Sequence, residues 1–179
     1  MLYKKTNAPV FILCLTFNAI ALPLPAMAES TAINIAGNII ASPCEVSSDS
    51  VTKAIALDGG KGIQATGLAA AGSTTEWVKF DINLKNCPAG TTAATITFTG
   101  TPDENNPEDM YANAGTAKNA AVELQGTGGH KFGNGKSFTY SPIDNNAVSF
   151  HLQSRVYTQN GGVTPGTISA VVTANMTYQ

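Results

Sequence analysis

Alternation of apolar and polar residues with period two constrains this chain more than any other feature. It runs through Trp77-Val78-Lys79-Phe80-Asp81-Ile82-Asn83-Leu84, Ala94-Thr95-Ile96-Thr97-Phe98 and Val148-Ser149-Phe150-His151-Leu152, and through the last dozen residues. Such alternation puts successive side chains on opposite faces of an extended strand. Turn chemistry separates the runs: Asp58-Gly59-Gly60, Pro88-Ala89-Gly90, the stretches 102–107 and 126–135, Ser141-Pro142, and Asn160-Gly161-Gly162. The one helix-permissive stretch, Gln64 to Ala71, is Ala-rich but short and is closed by Gly72. Seven or eight short strands at this spacing predict an all-β, antiparallel immunoglobulin-like sandwich.

The first 28 residues read as a signal peptide. Lys4 and Lys5 supply the positive region, Val10 to Leu24 the apolar stretch, and Ala26-Met27-Ala28 the small-x-small cleavage pattern. A lipoprotein signal at Cys14 is the competing reading, but Cys14 follows Leu13 rather than a small residue and sits inside the apolar run. Cleavage before Glu29 would leave eight basic residues against twelve acidic, a formal charge of −4 instead of −2, and two of the three cysteines. In an exported chain, Cys44 and Cys87 are expected to form a disulfide. Closing a loop of about 44 residues is worth roughly 4 kcal/mol in the chain-entropy model. A metal site is disfavoured, because these cysteines and the distant His130 and His151 lack zinc-ligand spacing.

The charge balance argues against nucleic-acid binding, which needs a basic face to neutralise phosphates. No charge-free apolar run of 18 residues follows position 30, so no membrane span is expected in the mature chain. Catalytic signals are weak. His130-Lys131-Phe132-Gly133-Asn134-Gly135-Lys136-Ser137 ends like a phosphate loop, but His130 stands where the first Gly belongs and a strand-like Phe138-Thr139-Tyr140 follows instead of a helix. A Gly-rich hairpin turn is the preferred reading. There is no Gly-x-Ser-x-Gly elbow, and neither histidine has a recognisable nucleophile partner in sequence. The acidic stretch holding Asp103, Glu104, Glu108 and Asp109 does not fit a calcium loop and reads as a solvated surface loop. Asn175-Met176-Thr177 matches a glycosylation sequon inside a predicted strand and carries no weight. No catalytic residue, cofactor or metal ligand is expected.

The informative chemistry lies at the two ends. From Thr31 to Ile39, every second residue (Thr31, Ile33, Ile35, Gly37, Ile39) would face one side of an extended segment, with Ala32, Asn34, Ala36 and Asn38 on the other. Near the C-terminus Ile168, Ala170, Val172, Ala174, Met176 and Tyr178 share a face, while Ser169, Thr173, Asn175 and Thr177 point away, with Val171 the exception. On pattern alone, the two segments could equally be ordinary strands of a complete sandwich.

The run Ile33 to Ile39 leading into Ala41-Ser42-Pro43-Cys44, then Leu84-Lys85-Asn86-Cys87-Pro88-Ala89-Gly90 and Asn160-Gly161-Gly162, resembles a pilin of the chaperone-usher type. So does the ending, where Gly166 is fourteenth from the terminus and Tyr178 is penultimate. Gly115-Thr116-Ala117-Lys118-Asn119, followed by Val122-Glu123-Leu124-Gln125, is most similar to the minor adaptor subunits of type 1 fimbriae. One departure is Thr31, more polar than the bulky apolar residue expected first on the inserting segment.

The resemblance implies an incomplete immunoglobulin-like sandwich lacking its last strand. The expected division is 1–28 signal peptide, 29–41 N-terminal donor-strand extension and 42–179 pilin domain. Thr31, Ile33, Ile35, Gly37 and Ile39 would form the donor strand. Gly166, Ile168, Ala170, Val172, Ala174, Met176 and Tyr178 would line the groove edge. A periplasmic chaperone would fill the groove first, and the extension of a neighbouring subunit would replace it at the outer-membrane usher, giving a head-to-tail fimbria on the bacterial surface that contributes to adhesion. A carbohydrate-binding adhesin is the alternative, although the 15 residues expected to precede Cys44 in the mature chain are too few for a lectin domain in front. A secreted hydrolase is the third reading, with no constellation to support it.

Overall fold

The computed structural model describes residues 33–40 and 42–179. The expected signal peptide and Thr31 lie outside the described residues. The chain divides into two units, Met1–Gly37 and Asn38–Gln179. In the first, Ile33 and Ile35 are 80% and 92% exposed and belong to no helix or strand. The alternating run thus has no ladder among the described residues.

The second unit carries eight strands: β1 Glu45–Val46, β2 Val78–Lys85, β3 Ala94–Gly100, β4 Met110–Ala112, β5 Ala121–Gly126, β6 Ser137–Tyr140, β7 Val148–Tyr157 and β8 Val172–Tyr178. They form a five-stranded sheet in the order β1-β2-β7-β5-β4 and a three-stranded sheet in the order β6-β3-β8. Every ladder is antiparallel. The stretch 64–71 contains one 3₁₀ turn, Ala65–Leu68, anchored by the buried Leu68. A second helical turn, α1 Ser48–Val51, was not expected. Nothing in its four residues distinguishes it from a loop, since one turn is too short to show a 3.6-residue period.

The core follows the alternation. Ile82 and Leu84 of β2, Ile96 and Phe98 of β3, Val122 and Leu124 of β5, and Phe150 and Leu152 of β7 are buried in one cluster. On the outer face of the larger sheet Glu123 is buried too, and its carboxylate accepts a hydrogen bond from Arg155 Nε at 2.7 Å with Lys131 Nζ 4.0 Å away. The Arg155 guanidinium sits 4.0 Å over the Trp77 ring. A carboxylate removed from water needs such partners. Cys44 and Cys87 are joined in a disulfide spanning 43 positions, which ties the start of the sandwich to the end of β2.

Candidate functional site

β8 is the last strand of the smaller sheet. It pairs with β3 from Ala94↔Tyr178 to Gly100↔Val172, and no strand pairs with its other edge among the described residues. Its register sets Met176 beside Ile96 and Ala174 beside Phe98. Facing side chains of an antiparallel pair share a face, so Val172, Ala174, Met176 and Tyr178 point toward the core. Yet Ile96 and Phe98 are at 0% and 2% exposure, while all four β8 residues are only half-buried. Ile168 and Ala170 before the strand behave the same way. Val171 is 80% exposed and faces outward, as its place in the alternation requires. The apolar face is therefore contiguous, packed on the core, and left partly uncovered along an unpaired edge.

Backbone contacts fix the entry to this edge. The Ala114 and Ala117 N–H groups donate to the Ser169 and Thr167 carbonyls at 2.7 and 3.1 Å, and Asn113 Oδ1 accepts from the Ser169 N–H at 2.8 Å. Gly166 lies against the Ala117 backbone with no room for a Cβ. Beside it a hollow of about 40 Å³ is lined by Ile63, Leu68, Val156, Val163 and Ile168. Sequence reasoning named Gly166 and Ile168 but missed Ile63 and Val163, which lie in irregular segments, and Leu68, which ends a single 3₁₀ turn, so no periodicity marks them. At the strand's other end the Tyr178 hydroxyl, 3.5 Å from the Cys44 carbonyl, has its pKa raised by burial.

Residues 33–40, where the alternation predicts an extended segment, carry exposed isoleucines. Ile33, Ile35 and Ile39 are at 80%, 92% and 103% exposure, and Ile40, which the alternation left unremarked, is equally exposed. Around Gly37 nothing lies within 4 Å of where a Cβ would stand.

The other sequence features have structural roles. His130 packs at a tilt against Phe132 with ring centroids 4.9 Å apart, and the turn before β6 occupies the phosphate-loop-like run. His151 Nδ1 is 2.7 Å from Asp81 Oδ1, and no hydroxyl or thiol among the described residues hydrogen-bonds that ring. In the acidic stretch, Asp103 Oδ1 accepts from the Asn105 and Asn106 N–H groups, which shapes the turn. Asp109 is bound by Lys136 at 2.7 Å and Lys131 at 2.9 Å, and these hydrogen bonds hold its carboxyl below the usual carboxylate range. Among the described residues no group of three or more His, Cys, Asp or Glu is placed to hold a metal ion.

The fold thus leaves a half-covered sandwich face beside an unpaired edge, and comparison with known proteins gives the family in which it occurs. Residues 33–179 match the family profile described as Fimbrial protein. The chain is 36% identical over 153 residues to Protein FimG of Escherichia coli (strain K12), covering 84% of this chain and 86% of that one. It is 32% identical over 168 residues to the S-fimbrial adhesin protein SfaS of Escherichia coli O6:K15:H31 (strain 536 / UPEC), covering 92% and 91%. The crystal structure of the P pilus rod subunit PapA superposes with a TM-score of 0.63 at 25% identity, over 77% of this chain and all of the other. The chain belongs to the fimbrial protein family. It is a structural subunit of a chaperone-usher fimbria, not an enzyme, and is exported to the fimbria at the cell surface.

Proposed function

We propose that the subunit polymerises head-to-tail by donor-strand exchange. Residues 31–39 of one copy would enter the unpaired edge of β8 in the next. The observation that carries this reading is the pairing of properties: Ile168 to Tyr178 remain half-covered while Ile33, Ile35 and Ile39 stand in water. Strand addition to an exposed sheet edge is a recurring recognition mode, and donor-strand complementation of pilins is an established instance of it.

Entering antiparallel, like every other ladder in the fold, the segment would bring Ile39 toward Ala170 and Ile33 toward Met176. Burying the three isoleucines would contribute about 5–9 kcal/mol at roughly 1.5–3 kcal/mol each, and each new ladder bond about 0.5–1.5 kcal/mol. A slip of one residue would put Asn34 and Asn38 against the core, so register is strongly specified. Gly37 would sit where backbone must approach closely, a common use of glycine within a strand.

An unpaired, half-apolar edge is an aggregation hazard before assembly. A periplasmic chaperone would cover it first, and the exchange would take place at an outer-membrane usher. A share in cell adhesion belongs to the same proposal, and the likeness to a protein named an S-fimbrial adhesin supports it.

Coexpression with the cognate chaperone tests the reading. The expected result is a complex of one chaperone and one subunit by mass spectrometry, and polymers that resist SDS until boiled. A mature monomer that stays dispersed alone and melts cooperatively with residues 31–39 paired to its own β8 would overturn it.

A further inference from the structure

The half-covered apolar face is longer than the strand that carries most of it. β8 pairs with β3 only as far back as Gly100↔Val172, because β3 ends there and Pro102 bridges instead to Tyr111 of β4. Ile168 and Ala170, the first two apolar residues of that face, therefore lie beyond the ladder, in chain that belongs to no strand. Their alignment with Val172 to Tyr178 has to come from elsewhere.

It comes from Asn113, the residue that follows β4. Asn113 Oδ1 accepts from the Ser169 N–H at 2.8 Å and from the Gly115 N–H at 2.9 Å. Its Nδ2 donates to the Ala117 carbonyl at 2.9 Å and to the Thr167 carbonyl at 3.3 Å. A primary amide offers two acceptor sites and two donors, so this side chain is saturated. The Ser169 carbonyl in turn accepts from the Ala114 N–H at 2.7 Å. Ser169 thus gives one bond and receives one, as a residue does in a hydrogen-bonded pair of an antiparallel ladder. Here one of the two partners is a side-chain amide with the chemistry of a peptide group. The same loop is tied again at Thr167, whose N–H donates to Thr116 Oγ1 at 2.9 Å and whose Oγ1 accepts from the Thr116 N–H at 3.0 Å.

These contacts decide which peptide groups remain free. Along extended chain, the N–H and C=O of successive residues point to alternate sides. Thr167 and Ser169 are bound to the 113–117 loop, so Ile168 and Ala170 turn their peptide groups the other way, and neither makes a backbone hydrogen bond among the described residues. An added strand needs such groups to continue a ladder past the end of β3.

We propose that Asn113 is a positioning residue for strand exchange: its amide stands in for the ladder partner that β3 no longer supplies and holds Ile168 and Ala170 in register with β8. This rests on the donor-strand reading above, in which Ile39 lies toward Ala170 and Ile33 toward Met176. Asn113 acts on the incoming strand through Ser169 and Thr167.

The test starts from the subunit in its chaperone complex, wild type or Asn113→Ala, and exchanges the chaperone for a labelled peptide of residues 29–41 or its Ile33→Ala or Ile39→Ala form. Fluorescence anisotropy then follows peptide loss at a fixed guanidinium concentration. On the wild-type subunit each alanine peptide should leave about tenfold faster, because a buried isoleucine has been removed. On Asn113→Ala the Ile33→Ala peptide should keep that penalty, while the Ile39→Ala peptide should leave within about twofold of the unsubstituted one. General loosening of the subunit would not single out Ile39. An Ile39 penalty that survives Asn113→Ala, or the loss of both penalties together, would overturn the proposal. A wild-type subunit that takes up no peptide would overturn the donor-strand reading itself, and this proposal with it. If Asn113→Ala does not accumulate, amide exchange in the wild-type complex decides: a Ser169 amide as slow as those of the β3–β8 ladder upholds the proposal, and one that exchanges like an open loop overturns it.

Discussion

Gly166 packs against the Ala117 backbone nitrogen so closely that a Cβ at position 166 would overlap it. The contact lies where the C-terminal segment joins the body, next to the Thr167 N–H bond to Thr116 Oγ1 at 2.9 Å. Gly166→Ala should therefore push the two segments apart and destabilise the fold by about 1–3 kcal/mol, the usual cost of overpacking. A lower denaturant midpoint with an unchanged slope is the expected reading.

Gly37 gives the contrasting case. Its surroundings are open, so Gly37→Arg should leave the body's folding and chaperone complex unchanged while blocking incorporation into fibres. Fibres that assembled normally with this variant would remove residues 31–39 from the groove-filling role.

Deleting Asn175 to Gln179 removes most of the β8 ladder, including Met176 opposite Ile96 and Tyr178 opposite Ala94. Recovery of a chaperone complex should be abolished. Copurification at the normal yield would show that the docking edge lies elsewhere.

Replacing Cys44 and Cys87 together by serine opens the closure of 43 positions. The chain-entropy estimate for such a loop is about 4 kcal/mol, a large part of the stability of a domain this size. Denaturant titration of oxidised wild type against the double variant measures it.

Tyr111 is fully buried, its hydroxyl donates to the Phe132 carbonyl at 2.8 Å, and burial pushes its pKa up to about 12. A raised folded-state value means that its contribution is fully present below the unfolded pKa of about 10 and is lost as pH rises from there through 12. Tyr111→Phe should cost about 1–3 kcal/mol at neutral pH, because the Phe132 carbonyl loses its partner, and should flatten the alkaline limb of the stability profile. An identical alkaline limb in the variant would assign that loss to other groups.

Period-two alternation made the long strands legible. The expected strands in 77–84, 94–98 and 148–152 correspond to β2, β3 and β7, and the inward face of the C-terminal segment matches the half-buried residues of β8. β1 and β4, of two and three residues, are too short for any period to register, and their places are set by the β2 and β5 edges they pair with. The 3₁₀ turn at 65–68 contributes Leu68 to the hollow beside Ile168, a contact between positions a hundred residues apart that local pattern does not encode. Even the role of Gly166 could be read only as a position in a motif, because the need for glycine there comes from Ala117 across the fold.

The half-covered β8 and the exposed isoleucines are different surfaces of one chain. A contact that joins them between copies is heterologous, so a two-fold dimer cannot satisfy it and the natural product is an open filament. Such a filament has unlike ends: the subunit at one terminus keeps a vacant seam and the subunit at the other an unspent arm. Direction of growth would then be written into each monomer before it meets another.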